Sequence, residues 1–457
     1  MPRDLTQGSI VKALFSLAAP IVAANILQTA YQLTDTFWVG RLGEAAVAAV
    51  SMSFPIIFLM IALVSGFAIA GTIMVAQFKG RGDQRQLDHV AAQTLTANVM
   101  VSIIVAVAGY FASPMLMRLM GAPPAVLPGA VAYLRITFIG MVFLFSYFTF
   151  QSLLRGVGEV KTPFVIVLGT VLLNLGLDPL FILGYGPIPA LGVAGAALAT
   201  IFTQGIAAAV GLWLLFSGRY GVHLRVANLP PDWALLKRLI TLGGPSSIEQ
   251  ATRAFGMAVM MTLVAGFGAT PVAAYGVVQR VVSFIIIPAM GFAMASTTLV
   301  GQNIGAGLMP RAVRSATLSA VVSFVVLTLA GVVVFVFARP LIAAFIPGVQ
   351  PVIAEGGLIL EIVAFTFGLI GVQMVLLGAM RGAGATVAAM TLTLVSFWIL
   401  RLPLAWGLAL TSLKELGIWI ALPASNVLSV LMTCLWFARG SWQRHNLVGQ
   451  SPSRGPT

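Results

Sequence analysis

The chain has 457 residues, of which 59% are hydrophobic and only 8% are charged. Because a soluble domain is about 25% charged, this composition excludes a soluble enzyme, a disordered chain and a nucleic-acid-binding protein. It predicts an all-α integral membrane protein, so the net charge of +13 is interpreted first as membrane topology. The single cysteine, Cys434, excludes an intramolecular disulfide and a cysteine-based metal site.

Twelve apolar stretches are long enough to cross a bilayer, which takes about 20 helical residues. In chain order they lie at roughly 10–39, 46–78, 90–113, 127–154, 162–184, 191–217, 235–266, 270–304, 312–338, 352–380, 385–409 and 416–438. The first is too long for the core of a cleavable signal peptide, so we expect it to remain as a span.

The positions of the basic residues agree with this count. Arg253, Arg280 and Arg401 lie inside predicted spans. On one side of the membrane are only Arg41, Arg118, Arg135, Arg339 and Lys414. All the others, from Arg3 to Arg454, fall in the alternate connections. Basic residues favour the cytoplasmic side, so both termini are expected in the cytoplasm.

The two halves of the chain are similar to each other. With a shift of 225 residues, Pro20 aligns with Pro245 and Thr72 aligns with Thr297. The longest cytoplasmic connection, 218–234, separates an expected N-lobe (1–217) from an expected C-lobe (235–457) with a short tail. Two pseudo-symmetric six-helix bundles of one orientation are typical of transporters whose lobes move around a central cavity.

Several segments resemble one transporter family. They are APIVAANILQTAYQLTDTFWVGRLG, LLRGVGEVKTP, LNLGLDPLFI, GVAGAALAT and the repeated segments around Gln77 and Gln302. Together they resemble the multidrug and toxic compound extrusion (MATE) transporters over about residues 8–440. The resemblance implies two bundles around a V-shaped cavity, and export of amphipathic, often cationic compounds driven by inward flow of protons or sodium. We expect a monomer in the plasma (inner) membrane of a prokaryote, with no cofactor and no nucleic-acid partner.

Acidic residues within spans are costly, so each is a candidate functional residue. Asp35 and Asp178 both lie roughly 7–8 Å below the outer edge. Asn174 is one turn deeper on the face of Asp178, and Tyr133 and Thr200 lie at comparable depths. Two neighbouring carboxylates can share a proton, while carboxylate, amide and hydroxyl oxygens also suit sodium.

The resemblance assigns roles to the same residues. Asp35 matches the coupling aspartate of helix 1, and Asp178, Asn174 and Thr200 match the N-lobe cation site. Tyr133 matches a tyrosine that bonds the helix-5 acid. If sodium is the coupling ion, the expected ligands are Asp35, Asp178, Asn174 and Thr200. The alternative is that the two aspartates only hold neighbouring helices together.

Pro20 lies about four turns before Asp35, and proline disrupts a helix enough to form a hinge. In members of the family that this chain resembles, protonation of the aspartate is linked to bending at this proline. The alternative is a packed kink inherited from the repeat, which is also the interpretation of Pro245.

The C-lobe acids have other predicted partners. Glu249 and Arg253 are spaced as an intrahelical ion pair, and Arg401 is the predicted partner of Glu361. Because the acids that would form a C-lobe sodium site are missing or displaced, the sequence resembles the DinF-like branch more than the NorM-like branch. That favours proton coupling.

Four polar residues are candidates for the substrate cavity: Gln28, Tyr31, Gln32 and Gln151. They suit a flat amphipathic compound, although hydrogen bonding between helices is an equal alternative. The alternative function is a lipid-linked saccharide flippase of the related superfamily, which needs several basic residues in its cavity. An enzyme is not expected, because the sequence lacks catalytic and metal-binding motifs.

Overall fold

The computed structural model describes residues 5–184 and 189–444, and regular structure within these ranges is helical. The helices are α1 (Ile10–Gly40), α2 (Glu44–Arg81), α3 (Gln84–Leu119), α4 (Leu127–Gly156), α5 (Lys161–Leu183), α6 (Gly192–Ser217), α7 (Trp233–Ala265), α8 (Ala269–Gly305), α9 (Met309–Val336), α10 (Ala338–Phe345), α11 (Gln350–Ala364), α12 (Phe367–Ala383), α13 (Thr386–Leu394), α14 (Leu402–Ala409) and α15 (Glu415–Ala438). Arg3, Arg454 and the C-terminal tail, which contribute to the predicted orientation, lie outside the described residues.

The predicted all-α membrane fold is confirmed. Among the described residues, ten helical segments are long and apolar enough to cross a membrane, and α11 and α12 together form an eleventh, bent by 54°. The remaining long helix, α7, has 33 residues. It is less apolar because it carries Lys237, Arg238, Glu249 and Arg253. With α7 included, the helices agree with the twelve predicted spans.

Two predicted spans contain breaks that hydropathy did not indicate. The span at 352–380 divides at Phe365 and Thr366, where the Thr366 hydroxyl donates to the Val363 carbonyl at 2.8 Å. Such a local side-chain bond competes with the helical ladder. The span at 385–409 contains a π-helical turn, Val395–Arg401. Pro403 lies just beyond it, and a proline clashes with the carbonyl four residues earlier, which a wider turn relieves.

The contacts divide the chain into two compact units. Unit 1 comprises Ala23–Lys79 and Asp83–Ser247, and unit 2 comprises Gly80–Gly82 with the described parts of Asp4–Val22 and Ile248–Thr457. Two helices therefore change unit part-way along, α1 after Val22 and α7 after Ser247. These two positions are related by the repeat shift of 225. The predicted linker, 218–234, lies within unit 1, and the lobe boundaries 1–217 and 235–457 stay a prediction.

The first segment of α1, which belongs to unit 2, and the first segment of α7, which belongs to unit 1, are both closely packed. In unit 1, a Cβ on Gly243 of α7 would lie 2.7 Å from the Gly66 carbonyl oxygen of α2. In unit 2, a Cβ on Gly291 of α8 would overlap the Val22 side chain of α1. Small residues allow helices to approach this closely within a membrane. Each unit thus contains an equivalent tight helix crossing.

The repeat also appears in a polar contact. In unit 1, Thr72 of α2 donates to the Ser152 carbonyl of α4 at 2.9 Å. In unit 2, Thr297 of α8 donates to the Gly378 carbonyl of α12 at 2.8 Å. Threonine hydroxyls often hold membrane helices together in this way. The same helix pairing is therefore built twice.

Gly382 of α12 is expected to be a sensitive packing position. A Cβ there would overlap the Thr297 carbonyl, which is backbone and cannot rotate away. We expect Gly382→Ala to lower the unfolding free energy by about 1–3 kcal/mol, as overpacking does. Gly169→Ala in α5 is the control, because nothing lies within 4 Å of its Cβ position. Thermal unfolding of both purified variants in detergent measures the difference, and equal melting temperatures would contradict the prediction.

The segment before α7 is bound to α3 within unit 1. Gln93, which is fully buried, donates to the carbonyls of Asn228 and Pro230, both at 2.7 Å. Its side-chain oxygen accepts from the Asp232 amide at 2.9 Å. A single glutamine thus satisfies three backbone groups of the connection. The second half of the connection 218–234 is consequently held against α3.

Asp232 adds a charged contact to this docking. Its Oδ2 lies 3.1 Å from His89 Nε2, and its Oδ1 accepts from the Ala234 and Leu235 amides at the start of α7. The His89 hydrogen bond holds the pKa of the Asp232 carboxyl below its usual range. A lowered folded-state pKa means that the contact contributes stability above the ordinary aspartate pKa of about 3.9. That contribution disappears as the pH falls through the lowered value.

We expect Asp232→Asn to loosen the docked segment at neutral pH, because asparagine can still cap α7 but carries no charge for His89. Exposed contacts of this kind contribute about 0.2–1 kcal/mol. Tryptic cleavage after Arg225, followed by mass spectrometry, should therefore rise by up to about fivefold. Asp83→Asn is the control, since Asp83 caps α3 through the Gln86 amide. Equal cleavage of both variants would exclude the role of the charge.

Candidate functional site

Asp178 of α5 is fully buried within unit 1. The amide nitrogen of Asn174, one turn earlier, donates to Asp178 Oδ1 at 2.7 Å. The second carboxylate oxygen, Oδ2, is buried and has no hydrogen-bond partner. A buried polar atom without a partner costs free energy. Asp178 therefore has one satisfied oxygen and one oxygen available to a proton or a cation.

Asp35 of α1 lies close to Asp178. The side chain is half-buried, and its Oδ1 is also buried without a hydrogen-bond partner. The two carboxylates are near enough to repel each other when both are ionised. Two unsatisfied carboxylate oxygens within the apolar interior are unfavourable unless a positive species accompanies them. The structure thus brings together the two acids that the sequence singled out.

Tyr31 joins this pair rather than lying apart in a substrate cavity. Its hydroxyl hydrogen-bonds to the hydroxyl of Thr203 at 3.3 Å and lies near the side chain of Thr200. The Tyr31 hydroxyl oxygen also lies within electrostatic reach of Asp35 and Asp178. Thr203 was not predicted, although its spacing of three from Thr200 places both on one face of α6.

The other predicted site residue, Tyr133 of α4, is near the same group. It lies within electrostatic reach of Asp35, Tyr31 and Asp178. The resemblance implied a hydrogen bond from Tyr133 to Asp178. In this structure the side-chain hydrogen bond to Asp178 comes from Asn174 instead. Trp38, three residues after Asp35, has a buried indole nitrogen without a hydrogen-bond partner. The candidate coupling site is therefore rich in polar atoms that are not fully satisfied, which is unusual for a folded interior.

Among the described residues, the remaining cavity candidates make no side-chain hydrogen bond to this group. Gln28 is half-buried and Gln32 is exposed on α1. Gln151 accepts from Arg155 at 3.4 Å, near the far end of α4. It is 18 residues from Tyr133, which is roughly 27 Å along a helix. The structure therefore does not bring Gln151 to the coupling site.

Unit 2 contains a separate buried charge cluster. The predicted ion pair between Glu249 and Arg253 is confirmed at 3.0 Å. Glu249 has two further partners that the sequence spacing did not predict. Arg381 donates to both of its oxygens at 3.1 and 3.2 Å, and Thr393 donates at 3.3 Å. Arg381 lies on α12, and nothing in the sequence links that position to α7.

The predicted pair of Glu361 with Arg401 is wrong. Glu361 lies 3.8 Å from Arg339, the second residue of the short helix α10. That helix follows α9 directly and packs against α11, which places Arg339 beside Glu361. Arg401 instead donates to Ser425 at 3.1 Å and to Asn426, both on α15.

Pro20 lies inside the continuous helix α1, two residues before that helix leaves unit 2. Pro245 occupies the equivalent place in α7, two residues before that helix leaves unit 1. Prolines remove one backbone hydrogen bond from a helix. Both helices are thus weakened close to the point at which they pass between units.

Comparison with known proteins agrees with this architecture. The family model MatE matches residues 20–180 and again 245–406, once in each half. The probable multidrug resistance protein YpnP of Bacillus subtilis (strain 168) is 33% identical over 445 residues, covering 97% of this chain and 98% of that protein. A probable multidrug resistance protein NorM of Thermotoga maritima is 26% identical over 440 residues, covering 96% and 94%.

The fold is also that of a solved transporter. A structure of an outward-facing multidrug resistance MATE family transporter of the MOP superfamily superimposes with a TM-score of 0.90. It is 24% identical and covers 96% of this chain and 98% of its own. Because a relative named NorM also matches, the DinF-like assignment stays a prediction. The chain belongs to the MATE family of multidrug efflux transporters, and it is a membrane transporter rather than an enzyme.

Proposed function

We propose that the protein is a secondary active antiporter that exports amphipathic, often cationic compounds in exchange for protons, with Asp35 and Asp178 as the coupling site. The observation that supports this most strongly is the pair of neighbouring carboxylates, each with a buried oxygen that has no hydrogen-bond partner. Asn174 presents its amide nitrogen, not an oxygen ligand, to Asp178. The preference for a proton over sodium rests on the sequence, in which the acids of a C-lobe sodium site are missing or displaced.

In this mechanism a proton and a cationic substrate compete for the same negative charge. Ionised Asp35 and Asp178 attract a cation into the apolar interior, where an unpaired charge is unfavourable. A proton that enters from outside neutralises a carboxylate and removes this attraction. Alternating access of two lobes, 1–217 and 235–457, then releases the substrate outward, because each bound species favours a different state. We place the protein in the plasma membrane with both termini in the cytoplasm.

Pro20 is the proposed hinge of α1. Its position near the change of unit supports a bend there, because the missing backbone bond lowers the energy needed to bend. We expect Pro20→Ala to slow efflux several-fold while changing dye affinity by less than about twofold. Pro245→Ala is the matched control, since the equivalent position on α7 has no aspartate after it. An unchanged efflux rate in Pro20→Ala would exclude the hinge.

The coupling ion is tested by efflux of a cationic dye from proteoliposomes, with proton and sodium gradients imposed separately. Efflux with the proton gradient alone is the expected result. Efflux with sodium alone would overturn proton coupling and make Asp35, Asp178, Asn174 and Thr200 the candidate ligands. No efflux with either gradient would overturn the exporter and favour the lipid-linked saccharide flippase.

A further inference from the structure

Unit 2 holds more positive than negative charge in its interior. Fully buried Glu249 faces two guanidinium groups, and Arg381 donates to both of its oxygens. Arg253 donates only its Nη2 to Glu249, and its Nε is buried without a hydrogen-bond partner. Because Arg381 already neutralises Glu249, the charge on Arg253 is in excess.

A third arginine lies nearby without any acidic partner. Arg401 donates to Ser425 and Asn426, which are neutral, and its guanidinium lies 4.5 Å from the centre of the Phe397 ring. Among the described residues, no carboxylate lies within ion-pair distance of it. Arg401 is thus a part-buried cation that only dipoles and an aromatic ring stabilise.

Arg253 and Arg401 belong to one cluster because α7 packs along the π-helical turn. A Cβ on Gly256, one turn after Arg253, would lie 2.6 Å from the Phe397 ring. Phe397 in turn stacks against Arg401, and the two guanidinium groups are near enough to repel each other. The wider π turn, a form often found at functional sites, ends at Arg401.

The balance of charge points to a missing anion. Glu249 is the single acid against three arginines in this cluster, and Glu361 is held by Arg339 elsewhere. Excess charge within a membrane is costly unless it is paired. Arginine is the residue best suited to carboxylate and phosphate groups, because its planar group presents several fixed donors. An oxyanion between Arg253 and Arg401 would satisfy both the charge and the unpartnered Nε.

We propose that Arg253 and Arg401 bind an anionic oxygen group, carboxylate or phosphate, of the exported compound. This inference rests on the proposed export function and extends its substrates to zwitterionic and anionic amphipathic compounds. Phe397 supplies an aromatic surface for the apolar part of such a compound. The anionic group binds in unit 2, apart from the coupling carboxylates in unit 1.

The test uses two dyes that differ only in this group, rhodamine B, which carries a free carboxylate, and its ethyl ester. Fluorescence polarisation measures the binding of each to the purified full-length protein in detergent. We expect Arg253→Gln to weaken rhodamine B by at least about tenfold, because a hydrogen bond to a charged group is lost, and the ester by less than about twofold. Arg253→Lys should recover part of the loss. Arg118→Gln, an exposed arginine of α3, controls for total charge.

Arg401→Gln should show the same selective loss of rhodamine B binding. If Arg401→Gln fails to fold, Arg253→Gln alone still tests the inference. Equal weakening of both dyes by Arg253→Gln would overturn the inference, as would unchanged binding of both. Proteoliposome efflux by the unaltered protein separates the two proposals. If the unaltered protein exports the ester but rhodamine B binding is the same in the arginine variants, only the anion site is excluded. If neither dye is exported or bound, the export function fails as well.

Discussion

Asp35→Asn is expected to reduce proton-driven dye efflux to the level of protein-free liposomes. Asparagine is nearly the same size, so the helix packing around α1 is preserved, but the side chain can neither release nor accept a proton. The buried, unpartnered Oδ1 of Asp35 shows that the carboxylate is not required to complete a hydrogen-bond network. The melting temperature should therefore stay within a few degrees of that of the unaltered protein.

Two comparisons make this experiment specific. Glu44→Gln, at the start of α2, removes an acid outside the coupling site and should leave efflux intact. Asp178→Asn should shift the pH dependence of efflux, because it removes the second carboxylate that repels Asp35. Normal efflux by Asp35→Asn would remove this residue from the mechanism. An unchanged response of Asp178→Asn to pH and sodium would make Asp178 structural.

The second large effect is expected from Glu249→Gln. Glutamine keeps the shape and part of the hydrogen bonding, but it leaves Arg253 and Arg381 without their shared negative charge. Removing one partner of a buried ion pair costs about 3–5 kcal/mol, because the other charge stays buried and uncompensated. We expect a clear fall in melting temperature and in the yield of monodisperse protein, measured by fluorescence-detected size-exclusion chromatography after heating.

Glu361→Gln is the matched control for that loss. Its ion pair with Arg339 is long, at 3.8 Å, and the side chains are 33% and 70% exposed. Exposed pairs of this kind contribute about 0–1 kcal/mol, so the melting temperature should hardly change. If Glu249→Gln is as stable as Glu361→Gln, the cluster in unit 2 does not stabilise the fold through charge.

Within the candidate coupling site, the contacts that follow local helix spacing were predictable. Asn174 and Asp178 are four residues apart on one helix, and their hydrogen bond is what that spacing predicts. Tyr31 is also four residues from Asp35 and so shares its face, yet the sequence could not show that α6 brings Thr203 to meet it. The predicted depth below the membrane edge gave an expected level for each group but could not give its lateral neighbours.

Long-range ion pairs were the least predictable feature. The pair of Glu249 and Arg253 lies within one helix and was found, whereas Arg381 reaches Glu249 from α12. Glu361 was assigned to the wrong arginine because a hydropathy profile does not distinguish α10, a short separate helix that follows α9 and packs against α11. Similarly, the break before α12 depends on hydrogen bonds made by Thr366, not on any loss of apolar character.

The first segments of α1 and α7, which each belong to the unit of the other half, limit how this chain can be divided. Each half of the duplicated sequence sends its first helix segment to cover the other unit, at Gly243 beside Gly66 and at Val22 beside Gly291. A six-helix half produced alone would leave that seam of small residues uncovered. Two halves produced as separate chains would therefore bury Gly66 and Gly291 only by exchanging these first helix segments with each other.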